Sequence, residues 1–168
     1  MQLSKVFGYV AWHPVAYDDL LPEVRAPYFG HLFASDFMGG SDSFRVAEID
    51  LDEDLIAAYA GYESDQLQRV AILNYEVWNE GDGSRPSCNF TLQVPENVRS
   101  VKVETLTSPG GATAYDTFYW AGQTWTYESN GLGERVPQTE AYTIAYVESG
   151  LVQVQVGASE AVIVFLLS

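Results

Sequence analysis

The sequence predicts a mostly β protein, an antiparallel β-sandwich of about eight or nine strands preceded by one α-helix. Three observations carry this expectation. Aromatic residues make up 14% of the chain, with 11 Tyr, 8 Phe and 4 Trp, and such side chains favour sheet. "LVQVQV" (151–156) alternates strictly, so its valines face a core and its glutamines face water. After Gly40, short β-rich segments follow one another at sandwich spacing, each bounded by turn residues.

The first element, residues 1–23, reads as irregular. Its opening "MQLSKVFGYVAWHP" holds a lysine and a seven-residue apolar run, but Gly8 interrupts the run and no small-residue cleavage site follows. No functional signal peptide is expected there. Residues 24–40, "VRAPYFGHLFASDFMGG", read as the helix. Pro27 suits a first turn, where its missing N–H costs nothing. Phe29, Leu32, Phe33 and Phe37 recur at three- and four-residue spacing and form one apolar face. Gly39-Gly40 supplies the positive φ that ends a helix.

The sandwich occupies 41–168, with strands expected at 44–51, 54–63, 67–78, 88–94, 99–107, 117–127, 141–148, 151–157 and 161–167. "AVIVFLL" (161–167) is apolar throughout, as befits a strand covered on both faces. "ESDQ" (63–66) closes a hairpin and "GASE" (157–160) makes a compact turn. No internal repeat, low-complexity tract or linker divides the chain.

At 168 residues the chain suffices for one domain that buries roughly 70% of its unfolded surface. It is too short for a (β/α)8 barrel, which needs about 200 residues or more. The net charge of −15 leaves only eight basic residues, dispersed along the chain. Nucleic acid, anionic membranes and sulfated polysaccharides are repelled by such a surface. No run approaches the ~20 apolar residues of a membrane span. Cys88 is the only cysteine, so no internal disulfide forms. Asn89-Phe90-Thr91 is an N-glycosylation sequon and a weak secretory hint.

Several motifs invite a functional reading. "DLDED" (50–54) begins like a calcium loop, but Leu55 and Gly61 stand where a glycine and a bidentate glutamate belong, so a turn is favoured. His13, His31 and Cys88 are too few and too scattered for a zinc site, and no metal or cofactor is expected. "GLGERV" (131–136) lacks the third glycine of a dinucleotide loop. Trp120 and Trp125, with Tyr119 and Tyr127, bracket "AGQT" and offer flat rings for stacking on sugars. An odd spacing along one strand sends the two indoles to opposite faces, so packing is favoured unless a turn at Gly122 re-aims them. "EVWNEGDGS" (76–84) is the most suggestive stretch. Its Asn79-Glu80 follows an apolar run, as the general acid of many retaining glycosidases does at the end of a barrel strand. Such an enzyme needs two carboxyl groups about 5–5.5 Å apart, one of them in an apolar setting. Glu80 sits in a Gly-rich polar loop, and Glu76 lies beyond Val77 with no barrel to frame a sugar.

The ordered set "VRAPYFGHLFASDFMGG", "FRVAEID", "AAYAGYESDQLQRVAILNYEVWN", "SRPSCNFTL", "VKVETLTSPGGA", "WAGQTW" and "VQVQVGASEAVIVFL" resembles glycoside hydrolase family 79. That family contains β-glucuronidases, fungal ones among them, and heparanases. The resemblance covers about residues 24–168, is to the C-terminal β-sandwich that follows the catalytic barrel, and points to a fungal member. It implies that the helix corresponds to the last barrel helix and "VFGYVAWHPV" (6–15) to the end of the last barrel strand, which puts Trp12 near the sugar site of an intact enzyme. It also implies that both catalytic glutamates lie on the absent barrel, so no catalytic role carries over to Glu80.

The implied function is a non-catalytic accessory domain that braces a barrel, and the implied compartment is extracellular. In the family the sandwich borrows a strand from ahead of the barrel, so its absence leaves an open sheet edge. Loss of the barrel also uncovers Phe29, Phe33 and Phe37 unless they fold back onto the sandwich. A catalytic barrel, or self-association through the exposed helix and sheet edge, is therefore the expected partnership. The alternative is a stand-alone carbohydrate-binding module that holds a glycan through Trp12, Trp78, Trp120 and Trp125. Bracing requires an apolar, carboxylate-poor face, glycan binding requires exposed rings, and catalysis requires a pocket with two close carboxylates.

Overall fold

A computed structural model describes residues 12–13 and 23–168, with Trp12, His13 and Glu23 described through the backbone alone. Most of the expected irregular segment 1–23 lies outside the described residues. β1 (Trp12–His13) pairs with β2 (Glu23–Val24), and α1 (Ala26–Met38) follows. The chain continues through β3 (Phe44–Ile49), β4 (Ile56–Glu63), β5 (Gln66–Asn74), β6 (Ser87–Gln93) and β7 (Ser100–Thr107). Then come β8 (Tyr119–Trp120), β9 (Gln123–Thr124), β10 (Glu134–Arg135), β11 (Thr143–Tyr146), β12 (Leu151–Gly157) and β13 (Glu160–Leu167).

Nine strands form one antiparallel sheet in the order β10-β9-β8-β7-β13-β5-β4-β3, with β11 also paired to β7. β6 and β12 form a separate two-stranded sheet that faces it. The architecture is mostly β with one helix, as the sequence predicts. The large sheet lies between α1 on one face and the β6–β12 ribbon on the other, because its strands alternate between two cores. Val70, Ile72, Val162 and Val164 point to the ribbon and meet Val152, Val154 and Val156. Ala71, Ala161 and Ile163, one residue out of phase, point to the helix. β13 is therefore apolar throughout because both its faces are covered.

The helix begins two residues later and ends two earlier than the spacing suggests. Pro27 stands in its first turn, and Gly39, at φ 63°, closes it by donating its N–H to the Ser35 carbonyl at 2.9 Å. Its apolar face folds back onto the sheet instead of standing open. Phe33 meets Trp120 edge-on with ring centroids 5.3 Å apart, and Phe37 meets Phe44 at 5.8 Å. Phe29 is fully buried against Phe118 and Trp125. Trp120 donates its indole N–H to Asp36 at 2.6 Å, and Arg69 donates to the Asp36 carbonyl at 2.9 Å, so the last turn is pinned twice. The exposed helix invoked for self-association is thus closed on its aromatic side.

Two expected strands are corrected. The segment 67–78 ends at Asn74, whose buried side chain donates to the Val156 carbonyl at 3.3 Å and accepts the Glu76 N–H at 3.0 Å. That Asn-centred turn draws the chain out of the sheet. The segment 117–127 breaks into β8 and β9 at a turn where Ala121 and Gly122 have φ of 49° and 68°. The turn reverses the chain, so Trp120 and Trp125 join the same helix-side core and do not face opposite sides.

Candidate functional site

The loop that spells Asn-Glu after an apolar run is a packed connection. Asn79 receives a hydrogen bond at its Oδ1 from the Thr113 N–H at 3.1 Å, and its own N–H goes to Asp82 at 2.9 Å. The Ala112 N–H reaches the Trp78 carbonyl at 2.8 Å, which ties the loop to 108–113. Asn79 is a loop staple, while Glu80 points into solvent. Glu76 is half-buried, and its backbone carbonyl accepts the Ser159 hydroxyl at 2.9 Å.

Beneath this loop lies a network that the sequence did not reveal. The Arg85 guanidinium is ion-paired with Glu160, donates to the Thr107 hydroxyl at 2.8 Å, and donates to the Ser108 carbonyl at 2.5 Å. It also covers the Trp78 ring at 4.1 Å from the centroid. Glu160 further accepts the Thr107 hydroxyl at 2.5 Å and the Gly157 N–H at 3.1 Å. Its carboxylate is saturated by partners within the chain and serves as a tie between β7, β13 and the loop.

Among the clefts lined by described residues, four bear on function. The largest of the four, about 490 Å³, lies between the start of α1 and the loops at 75–77 and 108–118, and Glu160 is its single described carboxylate. Its surroundings are apolar and open to solvent: Tyr75 is 55% exposed, Val77 71% and Tyr115 51%. A second, of about 440 Å³, lies around Pro95, Val98 and Leu151, with Glu96 its only described carboxylate. A third, of about 420 Å³, gathers Tyr28, Trp125 and Tyr127, and no described charged residue lines it. The fourth is a groove of about 310 Å³ between the open side of β6 and the inner face of β3, β4 and β5. Ile49, Ala60, Tyr62, Leu67, Phe90 and Leu92 line that groove, and among the described residues β6 pairs with β12 alone. None of the four presents two described carboxylates.

Each singled-out residue whose side chain is described has a definite place. Trp120 is 2% exposed and offers no free face. Trp78 is half-buried, with its N–H on the Gly83 carbonyl at 3.2 Å and Arg85 over its ring. Trp125 is half-buried and borders the third cleft. The side chains of Trp12 and His13 lie outside the described residues. His31 is exposed on α1, Cys88 is a free half-buried thiol on β6, and Asn89 is exposed on the outer face of β6. Among the described residues no group of three His, Cys, Asp or Glu side chains gathers to hold a metal. No described helix is long and apolar enough to cross a membrane.

Residues 58–163 match the model of the glycosyl hydrolase family 79 C-terminal beta domain. This chain belongs to glycoside hydrolase family 79. The family domain so matched runs from β4 into β13 and thus takes in the ribbon and the centre of the large sheet. Among curated proteins the chain is 30% identical over 180 residues to a β-glucuronidase of Aspergillus niger, which covers 99% of this chain and 33% of that protein. A β-glucuronidase of Neurospora crassa is 23% identical over 163 residues, covering 78% of this chain and 29% of its own length. The chain therefore spans about a third of the length of the curated relatives it matches. Among solved structures it resembles a 4-O-α-L-rhamnosyl-β-D-glucuronidase of Fusarium oxysporum in complex with Rha-GlcA, with TM-score 0.69 and 30% identity, over 83% of this chain and 29% of the other.

Proposed function

We propose that this family 79 chain acts as a non-catalytic accessory domain that braces a glucuronidase-type catalytic barrel. The observation that carries the reading is the groove at β6. A two-stranded ribbon faces a nine-stranded sheet, so one side of β6 is left without a described partner beside an apolar groove of about 310 Å³. A strand supplied from the rest of an intact enzyme would satisfy the N–H and C=O groups of β6 and cover Leu67, Phe90 and Leu92. The apolar cleft at the start of α1, with Tyr75, Val77 and Tyr115 exposed around it, is a second surface suited to docking a barrel. Its one described carboxylate is already engaged by Arg85, which suits an interface better than a glycosidase site.

A domain exchange tests this. The corresponding third of the Aspergillus niger β-glucuronidase is deleted, or replaced by this chain, and hydrolysis of p-nitrophenyl β-glucuronide is followed. The deletion is expected to lose activity and solubility, the chimera to regain both, and the isolated chain to hydrolyse nothing. Turnover by the isolated chain would overturn the non-catalytic assignment. A deletion that stays active and equally heat-stable would overturn bracing.

Kinship to fungal glucuronidases also supports an extracellular location. Asn89, exposed on β6 with Thr91 two residues on, is then expected to carry an N-glycan in a fungal secretory host. Unmodified Asn89 in the mass spectrum of such material would count against that placement.

A further inference from the structure

The cleft where Tyr28 meets the segment between β9 and β10 has the makings of a ligand site, and it is independent of the bracing role. It has a volume of about 420 Å³ and is bordered by Tyr28, Trp125, Tyr127, Thr126 and Asn130, with Val24. That size lies within the range of small-molecule pockets. We propose that it binds one residue of a neutral glycan, with the Trp125 ring as the stacking surface.

The first support is rigidity. Trp125 stands edge-on to Phe29 at 78°, with centroids 6.0 Å apart. A Cβ at Gly133 would lie 2.7 Å from Trp125 Cζ2, so the ring rests against backbone that only a glycine allows. The loop beyond it is stapled at both ends of 126–129. The Ser129 N–H donates to Thr126 Oγ1 at 3.2 Å, the Thr126 N–H donates to Ser129 Oγ at 3.3 Å, and the Ser129 hydroxyl donates to the Thr126 carbonyl at 2.9 Å. Tyr127 and Asn130 are thereby set in place before any ligand arrives, which removes part of the ordering cost of binding.

The second support is chemistry. A pyranose presents an apolar C–H face and a rim of hydroxyls, so it calls for a flat ring bordered by uncharged donors and acceptors. The Trp125 indole N–H and the hydroxyls of Tyr28 and Tyr127 make no hydrogen bond to described residues. Asn130 commits its amide N–H to the Glu128 carbonyl at 2.9 Å, and its Oδ1 is an uncharged acceptor at the cleft rim. No described cation lines the cleft, and a chain with net charge −15 repels a carboxylate left unpaired there. Neutral sugars are therefore selected over uronic acids. A quaternary ammonium, the other ligand of aromatic clefts, is disfavoured because no described carboxylate lines the cleft and its described polar rim is uncharged.

The test is isothermal titration calorimetry on the full 168-residue chain, with cellohexaose and mannohexaose as neutral probes, hexagalacturonate as the acidic probe and choline chloride as the cationic one. At least one neutral probe is expected to bind saturably, with no heat from hexagalacturonate. Trp125→Ala is expected to abolish binding, and Tyr127→Ala to weaken it by about tenfold. Trp125 also packs on Phe29, so its variant is first checked by circular dichroism. Tyr127, 39% exposed, can be truncated without opening the core, and its variant keeps the test decisive. No saturable binding of either neutral probe, tighter binding of hexagalacturonate or choline, or an unchanged affinity in Tyr127→Ala would overturn the assignment.

Discussion

The two faces of the large sheet are built from different materials. Against α1 the buried members include Phe29, Phe33, Phe37 and Trp120, and each helix phenylalanine has an aromatic partner on the sheet side. Against the ribbon the buried members are Val, Ile and Ala, with no buried aromatic among them. Rings need particular angles, so they fix the helix in one seat, and Asp36 locks it there through Trp120 and Arg69. Branched aliphatics pack well on any pleated surface and accept a cover strand in turn. The sealed face is finished within this chain, while the aliphatic face is closed only as far as β6 reaches.

The largest expected effect comes from breaking the sealed face. Phe29→Ala should cost about 3–5 kcal/mol, read from the midpoint of urea unfolding, because its ring is fully buried among rings that cannot collapse into the space. On the open face Leu92→Ala should cost only about 1 kcal/mol, since its side chain is half-buried beside an existing groove. Placed in the domain-exchange chimera, the same Leu92→Ala should cost more than in the isolated chain. An equal cost in both would mean that nothing covers the groove.

The smallest effect concerns Tyr75, beside the largest cleft. Partial desolvation of its hydroxyl, and after it the neighbouring Tyr59, raises the group above the ordinary value of 10.0, although the ring as a whole is 55% exposed. Folding therefore favours the neutral phenol. That contribution is intact below pH 10.0 and is lost as pH rises through the raised value. Tyr75→Phe should leave the unfolding midpoint unchanged at neutral pH and slightly reduce its fall between about pH 9 and 11. A steeper alkaline fall in the variant would contradict the assigned cause.

Much of this comparison could be read in the sequence, and the reason is periodicity. "LVQVQV" and "AVIVFLL" give a one-faced strand and a two-faced strand because side chains alternate with period two. The four-residue spacing of Phe29, Phe33 and Phe37, between Pro27 and Gly39, gives the helix and its face. What periodicity does not carry stayed hidden. The break at Ala121-Gly122 could be raised only as an exception at Gly122, because it lacks the usual Asn-Gly or Asp-Gly signal and two-residue strands leave no pattern to interrupt. Arg85 and Glu160 are 75 residues apart and meet only through the fold. Tyr28 lies in α1 and Trp125 just past β9, so no local window shows the cleft. Its local traces are the rings of Trp125 and Tyr127 and the turn dipeptide Asn130-Gly131 that follows them.

β13 occupies the middle of the nine-stranded sheet, between β5 and β7, yet it follows every other strand of that sheet in the chain. On a ribosome the two halves must wait for it, each holding an unpaired edge toward the other. The sheet thus closes only once β13 is available and not strand by strand as synthesis proceeds, which leaves the waiting edges in a chaperone's care until then.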